Sequence, residues 1–399
     1  MPQFDFDEEI DRRAVPALKT HAMVLGADGA DLFPAGVADM DFRAPPPVLA
    51  ALQRRLEHGV FGYETVADGL MPSLVAWLRG RHGWTVEPAQ ILRAPNILNA
   101  LAVAASLFTD PGDGVIVQPP VFFDFFDILK ENGRAAVVNP LVLANGRYRM
   151  DFDDLEANAA NPRTRMIFLC NPHNPVARVW SADELRRLGD ICARHGVLVI
   201  SDEMHGDLVF SGHVYTPFAA LGPGYAANSI TCLSPAKTFN IAACCSAFTV
   251  VPDPERRRAF QAENSRLTVN KNNAFANVAM QAAFTDGGPW LDAVTAYLQR
   301  NAELVMARLR PLPGVEPIEP EGTFLMWLDF RTLGLDPDAL TRFLRRQAKW
   351  AVTRGQAFGD GGAGFARLNI ACTRARLTRA LDDLARALAR HMEAKDQGV

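Results

Sequence analysis

Residues 165–205 read Arg-Met-Ile-Phe-Leu-Cys-Asn-Pro-His-Asn-Pro-Val-Ala-Arg-Val-Trp-Ser-Ala-Asp-Glu-Leu-Arg-Arg-Leu-Gly-Asp-Ile-Cys-Ala-Arg-His-Gly-Val-Leu-Val-Ile-Ser-Asp-Glu-Met-His. Two short apolar runs, 165–169 and 197–201, bracket a helical pattern. Ser181 and Glu184 have the spacing of a capping box. Leu185, Leu188, Ile191 and Cys192 then recur on one face, and Gly196 follows the end. Strand, helix and strand at this spacing predict a parallel sheet in an α/β domain. The runs are uniformly apolar rather than alternating, as strands covered on both faces should be.

The same reading extends outward. Further strands are expected at 114–118, 134–138, 229–233 and 245–251. Beyond about 286 the pattern changes to a long helical stretch, 290–310, two strand-like segments, 323–330 and 366–371, and a last helix with Leu377, Leu381, Leu384, Leu388 and Met392 on one face. The chain therefore divides into an N-terminal arm, 1–45, that also feeds the small domain, a large domain, 46–285, and a smaller α+β domain, 286–399. Residues 359–364 are Gly-rich and read as a loop.

Ligands of such sheets sit beyond the carboxyl ends of the strands. Asn171, Asp202 and Ser234 all follow strand ends, so they converge on one edge. Lys237, in Ser-Pro-Ala-Lys-Thr-Phe-Asn (234–240), stands between two apolar runs. A bare ammonium would be costly there. One amine, one carboxylate and one amide on a shared edge are the parts that hold pyridoxal 5′-phosphate (PLP). Lys237 would form the Schiff base, and desolvation would lower its pKa enough for it to act as a base when freed. Asp202 would pair with the pyridine nitrogen, and an amide from 171–175 would donate to the phenolic oxygen. His205 is either a satisfied core histidine or a support for Asp202. The start of a helix at Ala94-Pro95-Asn96-Ile97 offers free amides to a phosphate, and Ser234 could add a hydroxyl. Arg367 is a candidate fork for a substrate carboxylate, against a surface salt bridge. Phe122 either stacks on a flat ring or fills the core.

The chain has 399 residues and a net charge of −4. It has no basic run of the nucleic-acid-binding kind and no acidic tail. Its six cysteines lack Cys-x-x-Cys spacing, and no metal is expected. Cys170, Cys232, Cys244 and Cys245 lie in apolar segments and read as buried thiols of a reducing compartment. The apolar runs 97–108 and 241–251 are too short to cross a bilayer. The acidic N-terminus is unlike a targeting segment. A cytoplasmic location follows as the expectation.

These residues, taken in order, resemble fold-type I PLP-dependent enzymes of the class I/II aminotransferase superfamily, and within it the cystathionine β-lyase (C–S lyase) branch. The resemblance runs through Phe6 to Arg13, Val37-Ala-Asp-Met-Asp-Phe42, Gly62-Tyr63-Glu64, Cys170 to Pro175, Ser201 to His205, Lys237 to Ala242, Gly322 to Asp329 and Arg367-Leu-Asn369. It implies the aspartate aminotransferase fold, with a mostly parallel central sheet, and an α,β-elimination that turns cystathionine or a cysteine S-conjugate into pyruvate, ammonia and a thiol. It implies Asn174 as the donor to the ring oxygen, and the amides of Ile97 and Leu98, with Ser234, as the phosphate site. It makes Arg367 the α-carboxylate clamp, helped by the backbone near Ala38. Tyr63 resembles a tyrosine that reaches the phosphate of the neighbouring subunit, which implies a homodimer with shared active sites.

The chain departs from that branch at five places. Gly36 stands for a usual Trp, Phe122 for the ring-stacking Tyr, and Val176-Ala177-Arg178 for Thr-Gly-Lys. Ala236 stands for Ser and Ala243 for Gly. These departures read as a changed substrate wall around an intact cofactor core. Two rival functions share the motifs: an aminotransferase, and a PLP-binding regulatory protein with little turnover.

Overall fold

The computed structural model describes residues 4–26, 29–269 and 273–396. Among them the largest sheet has seven strands: β1 (Ile91–Ala94), β2 (Gly114–Val117), β3 (Ala135–Val138), β4 (Thr164–Cys170), β5 (Leu198–Asp202), β6 (Ser229–Leu233) and β7 (Ala247–Val250). Their spatial order is β1-β7-β6-β5-β4-β2-β3. The strands expected from sequence are present, with ends shifted by one or two residues, and β1 is additional. β3, β2, β4, β5 and β6 pair in parallel, whereas β7 is antiparallel to both neighbours. The sheet is therefore mostly parallel.

Burial explains the uniform apolarity. In β4, Met166, Phe168 and Cys170 pack with the helix Ile97–Phe108 on one face, while Ile167 and Leu169 pack with the helix Ala182–His195 on the other. That second helix begins with the expected capping box. Ser181 Oγ accepts from the Glu184 amide at 3.2 Å, and the Ser181 amide donates to Glu184 Oε2 at 2.9 Å. Gly196 ends it in a left-handed conformation, φ +67°, which a residue without Cβ adopts at little cost. Leu185, Leu188, Ile191 and Cys192 are all buried.

A second sheet has four strands: β8 (Glu316–Pro317), β9 (Leu325–Asp329), β10 (Thr353–Arg354) and β11 (Phe365–Asn369), in the order β8-β9-β11-β10. The helices Gly288–Leu309 and Arg374–Asp396 accompany it. The N-terminal arm joins this part: Phe33–Pro34 pairs in parallel with Trp350–Ala351. One continuous apolar cluster links Val48, Leu208 and Phe248 to Val294, Phe324 and Leu368. No helix among the described residues is long and apolar enough to cross a membrane.

Candidate active site

Strand register brings the site to one edge. Cys170 lies opposite Asp202, Asp202 opposite Cys232, Leu233 opposite Phe248, and Ala247 opposite Ala94. The segments leaving these ends carry Asn171–Pro175, Glu203–His205, Ser234–Asn240 and Asn96–Leu98. The connection from β6 to β7 stays on this edge, because residues 234–246 hold only two short helical turns, Pro235–Thr238 and Ala242–Cys244. It makes no crossover, so β7 must return antiparallel.

Lys237 sits in the first of those turns, half-buried. Its ammonium donates to the Ala38 carbonyl. Burial lowers its pKa from the ordinary amine value, and the Arg367 charge adds to the shift, against the opposing influence of Asp39, Cys245 and Asp202. Asp202 is buried at the end of β5. Burial raises its pKa to about 6, opposed by the Met204 amide, which donates to Oδ1 at 3.1 Å, and by Lys237. Lys237 and Asp202 are thus electrostatically coupled in one site.

Arg367, on β11, is also buried. Nη1 donates to Asn174 Oδ1 at 3.0 Å, and Nη2 donates to the Gly36 carbonyl at 2.8 Å and to Thr353 Oγ1 at 3.3 Å. The guanidinium stacks on Phe358, 4.9 Å from the ring centroid. Nε is buried without an acceptor. Burial pulls the pKa down to about 9, so the group is still a cation at neutral pH. Asn174 commits its oxygen to Arg367 and keeps Nδ2 as its donor end. His205 is buried edge-on to Phe324, with Nδ1 unpartnered. Burial, with the charges of Lys237 and Arg367, lowers its pKa to about 3, so it is neutral.

Phe122 lines the same cleft as Lys237, Ala38, Gly36 and Arg367, a space of about 570 Å³. Asn96 caps the helix Ile97–Phe108 through a bond from the Asn99 amide to Oδ1 at 2.8 Å, and the first-turn amides of Ile97 and Leu98 have no acceptor within their own helix. Ser234 lies at the start of the turn that carries Lys237. Its hydroxyl donates to the Ser246 carbonyl at 3.0 Å and accepts from the Ala236 amide at 3.3 Å, so it acts here as a helix cap. Tyr63 is fully exposed and lies outside the Lys237 cleft, beside Arg55 and Gln281.

The departure at 176–178 is not in the cleft wall, and that expectation is corrected. Arg178 is buried, with Nε on Glu321 Oε2 at 3.0 Å, Nη2 on Glu184 Oε2 at 2.9 Å, and its guanidinium 4.5 Å from the Trp180 ring centroid. Ala177 adopts φ +56°, where a glycine would be less strained. Cys244 and Cys245 are half-buried rather than buried; Cys170 and Cys232 are buried as expected.

Sequence reasoning gave no role to three residues that assemble the site. Asn369 Nδ2 donates to the carbonyls of Val37 and Asp39, both at 2.7 Å. Asn240 Nδ2 donates to the carbonyls of Met40 and Phe42 at 3.0 and 2.8 Å, and its Oδ1 accepts from the Met40 amide at 2.9 Å. These asparagines staple 37–42 to the segments that carry Arg367 and Lys237. Asp207 accepts from Thr238 Oγ1 at 2.8 Å and Trp77 Nε1 at 3.0 Å, and pairs with His82 Nε2 at 2.8 Å. It anchors the turn next to Lys237. Burial pushes its pKa up, but His82, Thr238 and Trp77 outweigh that and hold it low. The signal was their spacing, three residues after Lys237, two after Arg367 and five after Asp202, which has no meaning until the fold is known.

The arrangement fits PLP. It offers a desolvated amine, a buried carboxylate coupled to it, an amide donor, a helix start and two buried nitrogens without acceptors. The comparisons agree. Residues 35–384 match the model of the family described as aminotransferase class I and II. The chain is 42% identical over 359 residues to cystathionine beta-lyase PatB of Bacillus subtilis, covering 90% of this chain and 93% of that protein. Cystalysin from Treponema denticola, whose crystal structure contains a pyridoxal 5′-phosphate cofactor, superposes with a TM-score of 0.93 at 31% identity over 98% of this chain and all of that one. The PLP-bound C–S lyase from Staphylococcus hominis, complexed with L-cycloserine, gives 0.89 at 30% identity over 97% and 99%. With this sheet edge and these likenesses across nearly its whole length, the chain belongs to the PLP-dependent aminotransferase class I and II family.

Proposed function

We propose that this protein is a PLP-dependent carbon–sulfur β-lyase that cleaves cystathionine or cysteine S-conjugates. The observation that carries the reading is the extensive identity with PatB, joined to a desolvated Lys237 coupled to both Asp202 and Arg367. Overall, a cysteine S-conjugate and water become a thiol, pyruvate and ammonia.

Bound at this edge, the cofactor supplies a sink for the electron pair released at Cα. Lys237 holds it through the ε-amine, and Asp202 is assigned to its pyridine nitrogen. Asn174 Nδ2 is assigned to the phenolic oxygen, with Phe122 against the ring. The amides of Ile97 and Leu98, with the Ser234 hydroxyl, would take the cofactor's phosphate. Arg367 grips the substrate carboxylate through its free Nε edge, beside the carbonyls of Gly36 and Ala38. His205 stays neutral and adds no competing charge beside Asp202. With its amine free, Lys237 would take the Cα proton. Its lowered pKa favours the neutral, basic form. The C–S bond would break with its electron pair leaving on sulfur, and the proton taken up by Lys237 would be available to the departing thiolate. The 2-aminoacrylate left behind hydrolyses to pyruvate and ammonia.

We read 46–285 as the cofactor-holding domain and 286–399, with the arm 1–45, as the part that closes over it. The exposed Tyr63, near exposed Val60 and Phe61, supports a homodimer in which it reaches the partner's phosphate. Free cysteines throughout support the cytoplasm. The test incubates holoenzyme with cystathionine and S-methylcysteine and assays thiol and pyruvate together. Equimolar release is expected. Pyridoxamine phosphate accumulating without thiol would overturn the reading in favour of an aminotransferase.

A further inference from the structure

Lys19 is only 2% exposed, although it lies in a short turn of the N-terminal arm, Leu18–Thr20. A buried ammonium needs an acceptor for each of its three donors. Lys19 has them: the Asp39 carbonyl at 2.9 Å, Asp41 Oδ1 at 2.9 Å and Asp39 Oδ1 at 3.3 Å. Arg12, from the same arm, forks onto the Asp39 carboxylate at 2.9 and 2.7 Å and reaches Asp41 Oδ1 at 2.9 Å. Arg376 donates to Asp41 Oδ2 at 3.2 Å. Burial works to raise the Asp39 pKa, but Arg12 and Lys19 outweigh it and keep that carboxylate ionised at neutral pH. These ties converge on one peptide. The Asp39 amide donates to the Val37 carbonyl at 3.1 Å, closing a three-residue turn centred on Ala38. The carbonyls on either side, Val37 and Asp39, both accept from Asn369 Nδ2, and Lys19 is a second donor to Asp39. The Ala38 carbonyl between them accepts from the Lys237 amine.

We infer that Lys19, with Arg12, is a positioning residue for the reaction: the pair latches the arm onto 37–42 and so keeps the Ala38 carbonyl on the Lys237 amine. The inference rests on the lyase reading only in giving the Cα proton to Lys237, a step that an aminotransferase shares. An amine that takes a proton from carbon becomes an ammonium. A carbonyl already aimed at it stabilises that charge as it forms, with no reorganisation at that moment. Burial disfavours the charged amine, and the carbonyl dipole favours it. Burial alone would leave Lys237 neutral but a poor base. With Ala38 in place it is neutral and still able to accept a proton. Lys19, Asp41 and Asn369 are buried within one protomer, so the latch needs no contribution from a second subunit.

The test compares wild type with Lys19→Met and Arg12→Gln. The second variant, at a half-buried position, covers the case in which the first does not fold. In one arm, full-length protein stripped of cofactor is treated with trace acetic anhydride across a pH series, and acetylation of Lys237 is followed by peptide mass spectrometry. The midpoint of labelling should move to lower pH in both variants, because the ammonium has lost its acceptor. A site that is merely loosened would label faster at every pH with its midpoint unmoved, and that result overturns the inference. In the other arm, holoenzyme exchanges the Cα hydrogen of L-alanine, which has no leaving group, with heavy water, read by NMR. The kcat for exchange should fall about tenfold or more, with KM within about threefold of wild type. Equal exchange in variants and wild type, or a loss confined to KM, overturns the latch. Wild-type holoenzyme that exchanges no Cα hydrogen overturns it as well. If exchange proceeds and responds to the variants but no cysteine conjugate releases thiol, the lyase reading fails and the latch is supported.

Discussion

Replacing Arg367 by Lys keeps the positive charge and removes the fork, which separates the two contributions of the clamp. In the structure Nη1 is bound to Asn174 Oδ1 at 3.0 Å and Nη2 to the Gly36 carbonyl at 2.8 Å. These contacts fix the plane of the guanidinium and leave the buried, acceptor-free Nε edge for a ligand. A lysine ammonium is a point donor on a flexible stem. It cannot satisfy Asn174, Gly36 and a substrate carboxylate together. The expected loss is one charge-assisted hydrogen bond to substrate, about 1.5–3 kcal/mol. That corresponds to a fall in kcat/KM of about 10- to 150-fold. The carboxylate is held alike before and during bond cleavage, so most of the loss should fall on KM. Thiol release from S-methylcysteine is the assay, with the variant's bound-cofactor absorbance matched to wild type. A kcat/KM within about threefold of wild type, or a loss confined to kcat, would refute the reasoning.

Asn369→Ala should destabilise the holoprotein by roughly 2–4 kcal/mol, because it strips the Asn369 bonds from the Val37 and Asp39 carbonyls and the Ala371 amide. An unmoved thermal midpoint would show that 37–42 is held by something else. Glu203 is buried and accepts from Ser201 Oγ at 2.7 Å, the Phe218 amide at 2.9 Å and the Tyr215 hydroxyl, yet burial raises its pKa to about 7. Between the unfolded value near 4.5 and about 7 the folded state holds a proton the unfolded state has released, so its contribution favours folding below pH 4.5 and is lost as pH rises to 7. Glu203→Gln should flatten that fall, whose size is on the order of 3 kcal/mol. Thermal midpoints of variant and wild type that change in parallel from pH 5 to 7.5 would contradict it.

Much of the fold was legible because its signals are local. The helix Ala182–His195 was bounded by a capping box and a glycine, both readable within a few residues. β4 and β5 were readable because a strand covered on both faces has no polar side to show. β1 was missed: Ile-Leu-Arg-Ala is short and carries a charge, and its identity as a strand comes from pairing with β7, over 150 positions away. The direction of β7 was equally invisible, since composition does not distinguish parallel from antiparallel pairing. Arg178, four residues after Asn174, was counted in a changed substrate wall because it departs from the lysine usual in the resembled branch. The chain turns between them, and its true partner, Glu321, is 143 residues on.

The chemistry proposed for the site was legible from residue type: an amine that can bind a carbonyl, an acid for a ring nitrogen, a fork for a carboxylate. Those properties belong to side chains and survive without coordinates. What tertiary structure decided was which backbone they face. Ala38 and Gly36 reach Lys237 and Arg367 because Asn240 and Asn369, with the pairing of Phe33–Pro34 on Trp350–Ala351, hold the arm there across 200 and about 330 residues. The cleft that holds Lys237 and Arg367 is likewise lined by residues from both ends of the chain. Periodicity and capping report on neighbours along the chain, whereas a cleft is made by segments whose closeness depends on the free energy of the whole fold.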